Sequence, residues 1–224
     1  MRTHIFDIDG TLTKSGNDLW FLTMQELCDP TAFKALVLEW EAKSKTYENS
    51  YTLLVGTLDL LRNIKNAEEK IFNTAKKLAL GLIDNELVPK QALISLRKSI
   101  HVCDLVVLST ANYIEAAKGF TAALLERNLI SQFEYNRLVI LATNTDWEKY
   151  SVECFNMGDV KIHTYYRYLQ QEGYPVKVPD KAFVDDPYFN DASLANEALE
   201  VVVVDNSKNK EYVRNTGFER VFWY

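Results

Sequence analysis

Apolar residues recur along this chain with two different periods, and the change of period divides it. No proline interrupts the stretch between Pro30 and Pro89, where Phe33, Leu36, Val37 and Trp40 fall at i, i+3, i+4 and i+7. That spacing lays apolar side chains along one face of a helix. Leu54, Leu58, Leu61 and Ile64 predict a second such face, and Ile71, Ala75, Leu78 and Leu82 a third, cut near its end by Gly81. No heptad runs long enough for a coiled coil, and no internal repeat is present.

Outside that block the pattern shortens into continuous apolar, β-branched runs that end in polar residues. They are His4-Ile5-Phe6-Asp7, Leu105 to Ser109, Leu138 to Leu141, Ala182-Phe183-Val184-Asp185, and Val201 to Val204. Such runs suit strands buried on both faces, as in a parallel sheet. Helical segments at Tyr113 to Glu126, Ile162 to Gln171 and Asp191 to Leu199 separate several of them. Strand–helix alternation predicts an α/β fold: a Rossmann-like, doubly wound parallel sheet. The helical block falls between the first and second core strands. The expected organisation is a core of residues 1–14 and 95–224 with a helical cap inserted at 15–94. Open α/β sheets bind ligands beyond the carboxyl ends of their strands. That singles out the residues ending the runs: Asp7, Ser109, Asp185 and Asp186.

Composition narrows the function classes. With 47% hydrophobic residues in 224, the chain can bury a sizeable core. Lys and Arg number 25 against 31 Asp and Glu, for a net charge of −6, and no basic block interrupts this balance. Gripping nucleic acid or an anionic membrane through bulk charge is therefore not expected. The apolar runs are far shorter than the ~20 residues a membrane span needs. Three cysteines without paired spacing fit a reducing compartment better than a disulfide scaffold or a zinc site. Asp7 and Asp9 interrupt the first apolar run, so no secretory leader is read and a cytoplasmic protein is expected.

The chemistry is concentrated where the first strand runs into Asp7-Ile8-Asp9-Gly10-Thr11-Leu12-Thr13. Two carboxylates at i and i+2 around a strand end converge when the chain turns. Gly10 gives the freedom to turn, and Thr11 can hydrogen-bond an aspartate. Asp, Gly and Thr each occupy roughly one position in 15–20, so four fixed matches arise by chance about once per 10^5 positions. A solvated polar loop is a poor account of that heptad. Following an apolar strand, it resembles the first motif of the haloacid dehalogenase superfamily of phosphohydrolases. The superfamily's later motifs have counterparts in order: Ser109 ending the second strand, Lys161 before a helix, and a strand ending in Asp185-Asp186 with Asp191 beyond. Thr143 competes with Ser109, and Lys177 and Lys181 compete with Lys161. An insertion after the first motif resembles the helical cap of the phosphoserine-phosphatase-like branch.

The resemblance implies a phosphatase hydrolysing phosphomonoesters. Asp7 would be the nucleophile and Asp9 the general acid and then base. Asp9 separates this pattern from that of true dehalogenases. The implied phosphate-binding set is Ser109, Thr110, Lys161 and Thr11. Several carboxylates facing a dianionic ester repel it; one such repulsion is about 4 kcal/mol at 4 Å and an effective dielectric of 20. Mg²⁺ is the expected cofactor, held by Asp7, the Asp9 carbonyl and the Asp185, Asp186 and Asp191 group, with Asp186 preferred over Asp185. The expected partner is a phosphorylated small molecule or a phosphorylated protein side chain. A phosphotyrosine phosphatase, a phosphomutase and a phospho-ligand-binding protein without turnover are the alternatives. Gly16 stands where phosphoserine phosphatases place a substrate-reading acid, which counts against phosphoserine itself. Trp20, Glu26, Tyr47, Tyr51 and Arg62 are the cap's candidate contacts.

Overall fold

The computed structural model describes residues 1–204 and 219–221. Its strands are β1 (Thr3–Phe6), β2 (Leu105–Tyr113), β3 (Leu138–Asp146), β4 (Ser151–Cys154), β5 (Lys181–Val184), β6 (Glu200–Val204) and β7 (Glu219–Val221). They form one sheet in the order β4-β3-β2-β1-β5-β6-β7. Every neighbouring pair is parallel except β3 with β4. The helices are α1 (Leu19–Leu27), α2 (Pro30–Glu41), α3 (Tyr47–Leu61), α4 (Ala67–Asp84), α5 (Lys90–Val102), α6 (Ile114–Glu126), α7 (Gln132–Asn136), α8 (Asp159–Gln171) and α9 (Ala192–Glu197).

The strands read as unbroken apolar runs because both faces of the sheet are covered. Successive side chains alternate between faces. Phe6, Val106, Leu108, Phe183 and Val202 pack into one cluster with the helices of the first half of the chain. Ile5, Leu105, Val107, Ala182 and Val203 pack on the other face, against Ile162, Tyr165 and Leu169 of α8 and Leu194 of α9. This is the doubly wound α/β core that the pattern predicts.

Two strands differ from expectation. β2 continues past Ser109 to Tyr113, with its register against β3 broken between those residues. The Thr143 hydroxyl donates to the Ala111 carbonyl at 2.7 Å there. β4 is a short edge strand of alternating exposed and half-buried residues, too polar to register as a core strand.

Residues 15–94 contain α1 to α4 and the start of α5. Asp18, Asp29 and Thr46 cap α1, α2 and α3, each accepting from the amide three residues on, and Pro30 opens α2. α3 stops at Leu61, so Ile64 lies beyond it. Small residues let α4 and α6 run close together. A Cβ at Gly119 would sit 2.7 Å from the Phe72 carbonyl oxygen, and Ala75, Ala79, Ala116 and Ala123 are fully buried. One apolar cluster joins Leu54 and Ile71 of this segment to Phe120 and the sheet.

His4, inside β1, has Nδ1 2.8 Å from the Ser99 hydroxyl of α5. Burial, with the charges of Arg2 and Lys181, brings its pKa down to about 4. The unfolded chain therefore takes up a proton near pH 6.5 that the folded protein refuses until about pH 4. Stability is withdrawn as pH falls across that window. The variant His4→Gln is expected to flatten this loss by about 2 kcal/mol, read as the difference between variant and parent denaturation midpoints over pH. An unchanged difference across the window would show that His4 is not the group responsible.

Candidate active site

Strand register brings the site together. Phe6 pairs with Leu108 on one side and Phe183 on the other. The next residue, Asp7, keeps the ladder going by donating its amide to the Phe183 carbonyl at 3.0 Å. Asp7 thus stands between Ser109 of β2 and the end of β5, where Asp185 follows Val184. Strand order switches sides about β1, with β2 on one side and β5 on the other, all three parallel. Such a point is where doubly wound sheets bind ligands.

The chain then closes a tight turn. The amides of Thr11, Leu12 and Thr13 all donate to the Ile8 carbonyl, and the Gly10 amide donates to the Thr13 hydroxyl at 3.2 Å. Gly10 has φ +77°, and a Cβ there would lie 2.1 Å from Asp185 Oδ2. No other residue type permits both that backbone and that approach. The turn is closed by Thr13. Thr11, expected to bind phosphate, is fully buried, its hydroxyl has no hydrogen-bond partner among the described residues, and it does not line the cavity.

At the site's base the Lys161 ammonium, 1% exposed, donates to Asp7 Oδ1 at 2.7 Å, to Asp191 Oδ1 and to the Ser109 carbonyl at 3.2 Å. Burial alone would lower the lysine's pKa, but Asp191 and Asp7 outweigh it and hold the ammonium above its ordinary range. Carboxylate oxygens of Asp7, Asp185 and Asp191 all lie within 4.8 Å of one another. That trio includes Asp185 where motif spacing pointed to Asp186. Asp186 lines the cavity beside them, and its amide and carbonyl bracket Asp191. Burial and the charges of Asp7, Asp191 and Asp186 raise Asp185 well above the usual carboxylate range. Burial likewise brings Asp191 up to about 7, against the pull of Lys161.

Asp9 is held by two segments far apart in sequence. Its Oδ1 accepts the Leu19 amide at the start of α1 at 2.8 Å, and its Oδ2 accepts the Asn112 side-chain amide of β2. Burial first, then the Asp18 and Asp7 charges, lifts its carboxyl well above the ordinary value. Asn112 and Asn156 have no signal in the sequence, since a lone asparagine marks nothing. The Asn156 amide donates to the Ser109 hydroxyl (3.2 Å) and to the Thr110 and Leu141 carbonyls (3.1 and 2.8 Å), locking β2 to β3. The Ser109 hydroxyl is therefore buried and bonded to protein, and Thr110, the next residue, lines the cavity.

Above this base opens a cavity of about 490 Å³. Core residues form its floor, and Trp20, Phe21, Trp40, Leu53 and Leu54 of α1 to α3 form much of its wall. Of the expected cap contacts, Trp20 alone lines it. Tyr47 and Tyr51 are partly exposed and pack on Phe155 at ring-centre distances of 5.2 and 6.1 Å. Glu26 pairs with Lys77, and Arg62 with Asp59.

Comparison with solved structures agrees with the architecture. A protein of unknown function from Bordetella pertussis Tohama I superposes with a TM-score of 0.74 at 17% identity, each chain covered over 100% of its length. A phospho-aspartyl intermediate analogue of phosphoserine phosphatase matches with a TM-score of 0.59 at 14% identity, over 100% of this chain and 93% of that one. A hydrolase of the haloacid dehalogenase family from Salmonella enterica serovar Typhi matches with a TM-score of 0.61 at 10% identity, over 99% and 68%. The chain thus shares its fold with phosphoserine phosphatase and with that hydrolase. Sequence comparison alone matches no family model and no curated protein. Among the described residues no helix is long and apolar enough to cross a membrane.

Proposed function

We propose that this protein is a Mg²⁺-dependent phosphomonoesterase working through a phosphorylated Asp7, with residues 15–94 as its cap. The observation carrying this reading is the cluster at the sheet's carboxyl edge: Lys161 bonded to Asp7 and Asp191, with Asp185 closing the trio under one cavity.

The donor set suits a hard cation. Two buried carboxylates, Asp7 and Asp191, share one ammonium beside the half-buried Asp185, and desolvation with mutual repulsion raises all three pKa values. All the available donors are oxygens, the ligands Mg²⁺ prefers. Asp7, Asp185 and Asp191 would hold the ion, with the Asp9 carbonyl beside them. When bound, the ion supplies charge that offsets the repulsion between these acids and a phosphate dianion.

Asp7 attacks phosphorus, forming an Asp7 O–P bond as the ester P–O bond breaks. Asp9 gives its proton to the departing oxygen, a role its raised pKa favours because the carboxyl stays neutral to higher pH. It then takes a proton from the water that attacks phospho-Asp7, and phosphate leaves. Lys161 fixes the rotation of the Asp7 carboxylate and balances phosphate charge. Thr110, which lines the cavity, and the amides near it would hold phosphate oxygens. Walls from α1 to α3 favour a small phosphorylated molecule over a protein side chain.

Phosphate release from para-nitrophenyl phosphate tests the reading. Turnover should vanish on chelation and return with Mg²⁺. A rate equal to the buffer blank, across divalent metals and a broad pH range, would exclude it. Within the same assay Asp185→Asn should raise the Mg²⁺ concentration for half activation by about 100-fold, and Asp186→Asn by about tenfold. The reverse order would make Asp186 the ligand.

A further inference from the structure

Above its charged base the cavity changes character. Its wall includes Trp20, Phe21 and Trp40 from the cap and Phe155, Met157 and Phe189 from the core. The rings are ordered against one another. Trp20 meets Phe21 edge-on at 5.0 Å, and Phe21 meets Trp40 at 5.8 Å with their planes 50° apart. Phe155 is 6% exposed and is clamped from outside by Tyr47 and Tyr51. Charged side chains are scarce on the cap's part of this wall. Asp18 already caps α1 through the Phe21 amide, and Lys45 is exposed. An amino-acid phosphate needs a cation for its carboxylate and an acid for its ammonium just beyond the ester oxygen. Apart from Asp18 and Lys45, the cap's part of the wall is mainly rings and aliphatic side chains.

We infer that the ester's organic part is apolar and aromatic, seated between the cap's Trp20–Phe21–Trp40 group and the core's Phe155. This rests on the phosphatase reading for its phosphate end, but the wall stands independently of turnover. Burying a phenyl group among rings contributes to binding through apolar area and ring–ring contact, enough for a preference of at least tenfold.

The test compares esters whose leaving groups are chemically matched. Phenethyl phosphate should have a kcat/KM at least about tenfold above that of ethyl phosphate, with phosphoserine no better than ethyl phosphate. Trp40→Ala should lower kcat/KM for the phenethyl ester several-fold more than for the ethyl ester, and Trp40→Phe should keep most of the preference. Equal values for the two alkyl esters, or a preference for phosphoserine, overturn the inference while leaving the phosphatase reading intact. A second arm needs no turnover. Phenylpropyl phosphonate should quench tryptophan fluorescence in the presence of Mg²⁺ at about tenfold lower concentration than propyl phosphonate. That result without hydrolysis of any ester supports the aromatic pocket and removes the phosphatase reading. Equal affinity of the two phosphonates overturns the pocket itself.

Discussion

Asp7→Asn is expected to lower phosphate release at least about 10^4-fold at saturating Mg²⁺, while the protein folds at least as well as the parent. The amide is nearly isosteric with the carboxylate, keeps an oxygen for the Lys161 ammonium, and leaves the backbone bond to Phe183 untouched. It lacks the negative oxygen that must form the bond to phosphorus. The stability outcome follows from the carboxylates' raised pKa values. Asp191, near 7 in the fold against 3.8 in the unfolded chain, costs stability as pH rises between those values, and Asp7 and Asp185 act in the same direction. Removing one of the three charges relieves that cost. Metal-free Asp7→Asn should therefore melt at or above the parent temperature near neutral pH, with a smaller increment when Mg²⁺ is added. Residual activity within tenfold of wild type would show that Asp7 is not the nucleophile. A melting temperature far below the parent's would show that the acidic cluster is not strained.

Gly10→Ala should damage both the turn and the site. An added Cβ would meet Asp185 Oδ2 at 2.1 Å and its Cγ at 2.5 Å, on a backbone with φ +77°. Neither the turn nor the carboxylate can stay where it is. A left-handed alanine costs about 1 kcal/mol by itself, and the backbone shift that clears the clash adds to it. Activity should fall by at least 100-fold, because Asp185 can no longer share a site with Asp7 and Asp191. Gly16→Ala is the matched control. Gly16 has φ +87° but nothing within 4 Å of a Cβ, so it should show the backbone cost alone. Denaturant midpoints and kcat/KM for both variants decide the matter. Near-parental activity in Gly10→Ala would mean that Asp185 does not need its place beside the turn.

The α/β core was legible because its physics is local. A strand buried on both faces must be apolar at every position, so β1, β2, β5 and β6 announced themselves. The heptad from Asp7 to Thr13 was legible because a tight, acid-bearing turn admits few residue types. β4 was hidden because an edge strand with one wet face has no such demand. The continuation of β2 beyond Ser109 was hidden too, since Ser109-Thr110-Ala111-Asn112 is polar and its place in the sheet depends on Thr143 and Asn156 from other segments.

Site assignments divide along the same line. Residue types and their order along the chain were enough to nominate Asp7, Asp9, Lys161 and the acids after β5. Which of Asp185 and Asp186 joins the cluster was decided by the turn at Gly10, whose missing side chain leaves room for Asp185. Asp9's raised pKa needed its burial in the folded chain and Asp18 brought beside it. The aromatic wall arose from residues far apart in sequence, Trp20, Trp40 and Phe155, lining one cavity. The sequence by itself thus determined the sheet, the helical insertion and the chemical inventory, because burial and turn geometry constrain neighbouring residues. Only the tertiary structure decided which acids converge, which hydroxyl is sealed and what lines the cavity, because those depend on packing between segments that are distant along the chain.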